Sequence, residues 1–244
     1  MSGLDVGLDG GWRLGAAGGY SNSSIQLDRQ AGSADVDTYS LAVYGGGDLG
    51  PLALRAGAAW SWHDIDTSRT VFYPGVLEVE KTSYDGDTGQ IFGELAYPIL
   101  SGDMAIEPFA GLAYVRVKTD GFQEDGGIGA LIGKSADEDV GFSTLGLRWA
   151  GRMALGEAVL MPRASIAWQH GFDELTPETA FVFASEPEIG FTAAGLPIVR
   201  DSALIDIGVA VEIAEGFTLG AAYAGQFAND LQDNSVQGRV SWAF

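Results

Sequence analysis

The sequence predicts an all-β fold, an antiparallel up-and-down transmembrane β-barrel of about eleven strands. Three observations carry that expectation. Side chains alternate in polarity at period two along most of the chain. The joins between alternating segments are short and long in turn. The chain also stops in mid-strand, with Val236, Gly238, Val240, Trp242 and Phe244 on one face and Asp233, Ser235, Gln237, Arg239, Ser241 and Ala243 on the other. Helical spacing of three or four residues explains none of this, because only a strand sends successive side chains to opposite faces.

Taken in order, the expected strands are 2–9, 12–25, 36–48, 52–66, 86–99, 103–118, 140–154, 158–170, 202–214, 217–229 and 232–244. The clearest is 52–66, where Leu52, Leu54, Ala56, Ala58, Trp60 and Trp62 oppose Ala53, Arg55, Gly57, Ala59, Ser61 and His63. In 202–214, Ala203, Ile205, Ile207, Val209, Val211 and Ile213 oppose Asp206, Gly208, Ala210 and Glu212. The phase of 103–118 is the least defined, since Val115 and Val117 oppose Leu112 and Tyr114. Most of these segments exceed the ~9–11 residues that a tilted strand needs to cross a bilayer.

Tight turns are expected at Gly10–Gly11, Gly50–Pro51, Ser101–Gly102, Gly156–Glu157 and Glu215–Gly216, with longer joins near 26–35, 67–85, 119–139 and 171–201. Alternation gathers the short turns at one end of a meander and the long joins at the other, as in outer-membrane barrels. The whole chain, 1–244, reads as one domain.

Composition narrows the function. No apolar run approaches the ~18 residues of a transmembrane helix. A formal charge of -20 excludes nucleic acid as a partner. There is no cysteine, so neither a disulfide scaffold nor a zinc site is expected, and passage through an oxidising periplasm is tolerated. No cofactor and no protein metal site is expected, although Asp35–Asp37 and Asp137–Asp139, read as loops, carry the oxygen ligands of a loose calcium site.

Size decides which face looks outward. A barrel of about eleven or twelve strands encloses too much volume to fill with apolar side chains. The polar phase therefore faces a wet lumen. It carries Arg13, Arg55, Arg148, Arg152, Arg163 and Arg239 with Asp5, Glu94, Glu107, Asp206 and Glu212, charges of both signs that can pair. The apolar phase carries Trp12, Tyr20, Trp60, Trp62, Trp149, Trp168, Tyr223, Trp242 and Phe244 and faces lipid, with aromatics near the strand ends.

Parity adds a further expectation. The carboxyl terminus lies at the periplasmic end, so an odd count puts Met1 at the outer end. An unpaired strand edge is not tolerated in lipid, and one additional strand before Ser2 would repair it. No signal peptide precedes the first strand, so the chain reads as a piece of a longer protein.

The two histidines, His63 and His170, fall near the outer ends of their strands with Asp64, Asp66 and Asp173 close in sequence. Rim residues at the headgroup boundary are one reading. An Asp/His site activating water, as in omptin-like proteases, or a Ser–His site in a lipid hydrolase, is another. The glycine runs Gly15–Gly19 and Gly45–Gly47 lie inside strands and are not phosphate loops.

From Trp12 to Phe244 the chain resembles the autotransporter β-domain, the translocator of type V secretion. The resemblance is carried by Trp12-Arg13-Leu14-Gly15-Ala16-Ala17-Gly18-Gly19-Tyr20-Ser21, Trp60-Ser61-Trp62-His63 and Gly93-Glu94-Leu95-Ala96-Tyr97. It continues in Glu107-Pro108-Phe109-Ala110-Gly111-Leu112-Ala113-Tyr114, Gly141-Phe142-Ser143-Thr144-Leu145-Gly146-Leu147-Arg148, Trp168-Gln169-His170 and the ending Ser241-Trp242-Ala243-Phe244. It implies a twelve-stranded monomeric barrel in the outer membrane of a Gram-negative cell, with a lumen helix leading to an N-terminal passenger that is exported and then anchored or cleaved. It implies no catalysis by the barrel itself, except that some members cleave their own linker with lumen acids, here Glu94, Glu107, Asp206 or Glu212. The implied partners are outer-membrane lipid, the barrel-assembly machinery, and the passenger and linker helix of the parent protein. Val240, Trp242 and Phe244 would form the assembly signal; Gly238 sits one residue earlier than the usual signal glycine. Set against that plan, the strand count leads us to expect a chain without the passenger, the lumen helix and the first strand. A general porin remains the further alternative.

Overall fold

The computed structural model describes residues 2–27, 32–156, 158–172, 176–214, 216–229 and 231–242. They form seventeen strands: β1 (Ser2–Gly7), β2 (Arg13–Leu27), β3 (Gly32–Leu49), β4 (Leu52–Tyr73), β5 (Val76–Ala96), β6 (Ile99–Ser101), β7 (Met104–Thr119), β8 (Phe122–Gln123), β9 (Leu131–Gly133), β10 (Ala136–Gly151), β11 (Met153–Leu155), β12 (Ala158–Gly171), β13 (Glu178–Phe183), β14 (Gly190–Ala194), β15 (Asp201–Ala214), β16 (Phe217–Phe227) and β17 (Gln232–Trp242). Among the described residues no helix is long and apolar enough to cross a membrane, which says nothing of strands.

Eleven strands make the wall, in the order β1-β2-β3-β4-β5-β7-β10-β12-β15-β16-β17, each antiparallel to its neighbours. The expected strand count and meander are both present. The short turns fall where glycine permits a left-handed backbone: Gly10, Gly11, Gly50, Gly102, Gly156 and Gly216 all have positive φ. Two strands end earlier than expected. β5 stops at Ala96, just before Pro98, which has no N–H for the ladder, and the chain resumes as β6. β10 stops at Gly151 and resumes as β11.

The long joins need correction. Segment 67–85 is not a loop: β4 and β5 stay in register to Tyr73↔Val76, turning at a Gly75 of positive φ. β3 likewise begins at Gly32 and β10 at Ala136, so the acids at 35–37 and 137–139 sit on strands and not on loops. Segments 119–139 and 171–201 contain a second sheet of four strands, ordered β14-β13-β9-β8.

The wall is curled, and burial shows which face is concave. Ala96, Phe109, Val140 and Ala167 are buried, and each lies in the polar phase of its strand. Leu112, Leu145 and Ile166, in the apolar phase, are exposed. The two edges, β1 and β17, do not pair with each other among the described residues. Of the two expected arrangements, an open edge or a parallel seam, the sheet has the open edge.

Candidate functional site

The concave face is built by register. Arg55 on β4 stands opposite Glu94 on β5, and Glu107 on β7 stands opposite Arg148 on β10. Four adjacent strands thus present two guanidinium groups and two carboxylates to one volume. Arg55 Nη1 donates to Glu94 at 2.8 Å, and Arg55 grips Glu107 with Nη1 and Nη2 at 2.8 and 2.9 Å. Arg148 donates to Glu94 at 2.7 and 2.5 Å and to Glu107 at 3.1 Å. Each carboxylate is shared by both arginines, an alternation that lets each charge face two of opposite sign. Phe109 underlies the cluster, with the Arg148 guanidinium carbon 3.8 Å from its ring centroid. Such a closed ring of ion pairs has no free base and no nucleophile. It holds strands together and offers a polar surface.

The other expected charges of this face pair singly, without a shared cluster. Arg13 reaches Asp5 at 2.8 Å, Arg163 reaches Asp206 at 3.5 Å and Arg152 reaches Glu212 at 3.9 Å. Arg239 on β17 makes no ion pair among the described residues. A cavity lined by Phe92, Glu94, Phe109, Thr144, Arg148 and Asp206 lies over this face.

The convex face is apolar and rich in aromatics. Tyr20, Tyr39, Trp62 and Tyr223 lie near the middle of their strands, and Tyr114 and Trp168 toward the long-join end. Trp149 and Trp242 sit toward the short-turn end, and Trp12 lies there over Gly47, where a Cβ would come within 2.5 Å of its ring. Beyond these aromatics, toward the long joins, the same phase turns acidic. Asp37, Asp64 and Asp85 stand opposite one another on β3, β4 and β5, and Asp35 stands opposite Asp66. Asp37 accepts from Tyr20 at 2.6 Å and Asn22 at 2.9 Å, and Asp137 pairs with Arg116.

The rim candidates separate. His63 lies in the concave phase between Thr38 and Thr88, with ring nitrogens 3.0 and 2.9 Å from their hydroxyls. Asp64 faces the opposite way, so these two never meet. Asp173 lies outside the described residues. His170 does find an acid: its Nδ1 is 2.8 Å from Asp201 Oδ1, which also accepts from Trp168 Nε1 at 3.0 Å. Asp201 escaped the sequence reading because it lies in the next wall strand and only register brings it to His170. Ser143 is the register partner of His170 on the other side, but no hydrogen bond joins them among the described residues. Val240 and Trp242 share the convex phase of β17; Phe244 lies outside the described residues.

Carboxylates at the long-join end also escaped the sequence reading. Glu80 is fully buried, and its Oε1 and Oε2 accept from the Gly127 amide at 3.3 and 3.0 Å. Glu78 accepts from the Gly129 amide at 3.1 Å, and Glu124 from that of Leu131 at 2.8 Å. Arg69 clamps Glu124 at 3.1 and 2.5 Å and donates to the Gly129 carbonyl at 3.0 Å.

A family model, "Autotransporter beta-domain", matches residues 1–224. The chain is 37% identical over 244 residues to an "Extracellular serine protease" of Serratia marcescens, covering 100% of this chain and 23% of that protein. Its fold is similar to the translocator domain of the autotransporter NalP from Neisseria meningitidis, with TM-score 0.78 at 18% identity, covering 99% of this chain and 79% of that one. It is similar as well to the β domain of the Bordetella autotransporter BrkA, with TM-score 0.66 at 19% identity, covering 99% and 88%.

Proposed function

The chain belongs to the autotransporter β-domain family, and from that premise we propose that in its parent protein it is the outer-membrane barrel that helps export an N-terminal passenger and anchors it. Family membership places the domain in the outer membrane. The observation that carries the finer reading is the two-sided wall. Its convex face exposes an apolar, aromatic-rich phase, and its concave face carries the Arg55–Glu94–Glu107–Arg148 cluster. A wall dry outside and charged inside suits a conduit for polypeptide, because a passing chain finds hydrogen-bonding partners within and lipid is excluded.

In this reading Arg13, Arg55, Glu94, Glu107, Arg148, Arg152, Arg163, Asp206, Glu212 and Arg239 line the lumen. The short turns and the carboxyl terminus face the periplasm, and the long-join end faces outward. Val240, Trp242 and Phe244 present the aromatic terminal strand to the assembly machinery. The domain itself is not catalytic. The chain spans 23% of the Serratia relative, so the name of that protease describes the whole relative and not this segment.

The test is export in the full-length parent. Passenger carrying an epitope tag should become accessible to protease on intact cells, and deleting β15–β17 should abolish this. Passenger export undiminished by that deletion would sink the reading.

A further inference from the structure

The second sheet is tied to the β4–β5 hairpin along its free edge and on its concave face. β4 and β5 keep one unbroken register from Arg55↔Glu94 to Arg69↔Glu80 and onward. Arg69, Glu78, Glu80 and Tyr84 therefore project from the same face as Arg55 and Glu94, the concave one. All the contacts that tie segment 122–131 to the hairpin are made on that face or along its edge. Asp125 and Lys81 exchange backbone hydrogen bonds at 2.9 and 2.7 Å, and Thr82 donates to the Gln123 carbonyl at 3.0 Å. Tyr84 stacks on Phe122 at 4.6 Å between centroids, Phe122 meets Phe181 edge-on at 6.2 Å, and Phe181 stacks on Phe191 at 5.5 Å. An aromatic chain thus runs from the wall into the sheet. On the next strands, Val115, Val117 and Val140, also in the concave phase, line one cavity with Pro177, Thr179 and Ile198. The sheet consequently packs on the concave side at the long-join end, not out over the lipid-facing side.

We propose that β8, β9, β13 and β14 form a lid over the outer mouth, and that Glu78, Glu80 and Glu124 with Arg69 are the latch that holds it shut. This rests on the reading of the barrel as a conduit. The latch is tight. A Cβ on Gly126 would meet Glu80 Oε2 at 1.4 Å, and one on Gly127 would meet the Glu78 carboxyl carbon at 2.1 Å. The latch is also under tension. Three carboxylates face a single guanidinium, and Glu80 is buried among them with the Gly127 N–H as its hydrogen-bond donor. A passing chain that engages Arg69 or wets Glu80 releases that tension, so the lid opens to a polypeptide.

The test uses the absence of cysteine in this segment. Lys81→Cys with Asp125→Cys, a hydrogen-bonded cross-strand pair, brings two Cα atoms within disulfide range. The full-length parent carrying this pair is oxidised in cells, and surface passenger is measured with and without external reductant. We expect the oxidised protein to insert as a heat-modifiable barrel, to lose its surface passenger, and to recover it on reduction. Gly126→Ala, which unseats Glu80 without changing charge, should retain export and lose amide protection at Gly127 and Gly129. Wild-type surface passenger in the fully oxidised pair overturns the lid, as does unchanged protection in Gly126→Ala. Passenger absent from the surface in the wild-type parent, with its barrel inserted, instead overturns the conduit reading.

Discussion

Arg55 reaches past its neighbouring strand to hold Glu107 with two hydrogen bonds of 2.8 and 2.9 Å, although β5 lies between their strands. The contact spans two inter-strand spacings, and the inward curl of the wall shortens that span relative to a flat sheet, where the side chains would stand parallel. It ties the curl itself, not one strand pair.

Replacing Glu107 by Leu should therefore cost about 1–3 kcal/mol, less than for a fully buried pair because Arg55 keeps access to water. In a double-mutant cycle with Arg148→Met the two changes should couple, because both arginines share both carboxylates. Unfolding in one detergent gives the values. Strict additivity would show that the four residues do not act as a unit.

Closure of the lid should depend on pH with a definite sign. Burial, as the largest cause, and the neighbouring Glu78 and Glu124 carboxylates push the Glu80 carboxyl above its ordinary range, against the pull of the Gly127 amide and Arg69. The closed form then binds a proton more tightly than the open one. Its extra stability is full below the ordinary glutamate range and is lost as pH rises through the raised value. Hydrogen exchange at Gly127 and Gly129, corrected for intrinsic rate, should show stronger protection near pH 5 than near pH 8. Glu80→Gln should flatten that dependence; a pH dependence equal to wild type would assign the proton elsewhere.

The two faces of β10 offer a direct contrast. Leu145→Arg on the convex face should cost about 2–4 kcal/mol in a bilayer, the penalty for a cation at the midplane. Thr144→Arg, one residue away and facing the charged concave side, should cost far less. Similar costs at the two positions would contradict the assignment of the lipid-facing side.

The acidic row on the convex face opposes like charges across strands. Asp64 stands between Asp37 and Asp85. Asp64→Asn should raise stability by about 0.2–1 kcal/mol at low ionic strength, and the gain should fade as salt screens the row. A salt-independent change would mean that packing, not repulsion, is being measured.

Removal of Phe244 from the parent should lower the amount of heat-modifiable barrel in outer-membrane fractions far more than it lowers folding in detergent. Its basis is the aromatic row of Val240, Trp242 and Phe244 at the chain end. Wild-type amounts in the membrane would remove the terminal residue from the assembly signal.

Much of the wall was legible in the sequence because strand phase is local. Arg55 against Trp60, or Asp206 against Ile207, declares its face within a few residues, and glycine at 50, 102, 156 and 216 marks each turn by the backbone it alone adopts freely. The polar phase even named all four members of the central cluster. It could not pair them, because Glu94 meets Arg148 only once strands 54 residues apart in sequence are curled together.

The lid was invisible for a related reason. β8 has two residues and β9 three, too short for any period to register, and the Glu78 and Glu80 carboxylates look like solvated loop acids until Gly127 and Gly129 are laid over them. One trace was present: Val115 and Val117 broke the phase of their strand, which is what apolar residues on a wet face do when something covers them. Alternation and turn chemistry, each readable over a few residues, fix the meander, the eleven wall strands and the two faces. The curl, the shared ion pairs, the His170–Asp201 contact and the lid come only with folding, because each depends on where distant segments meet.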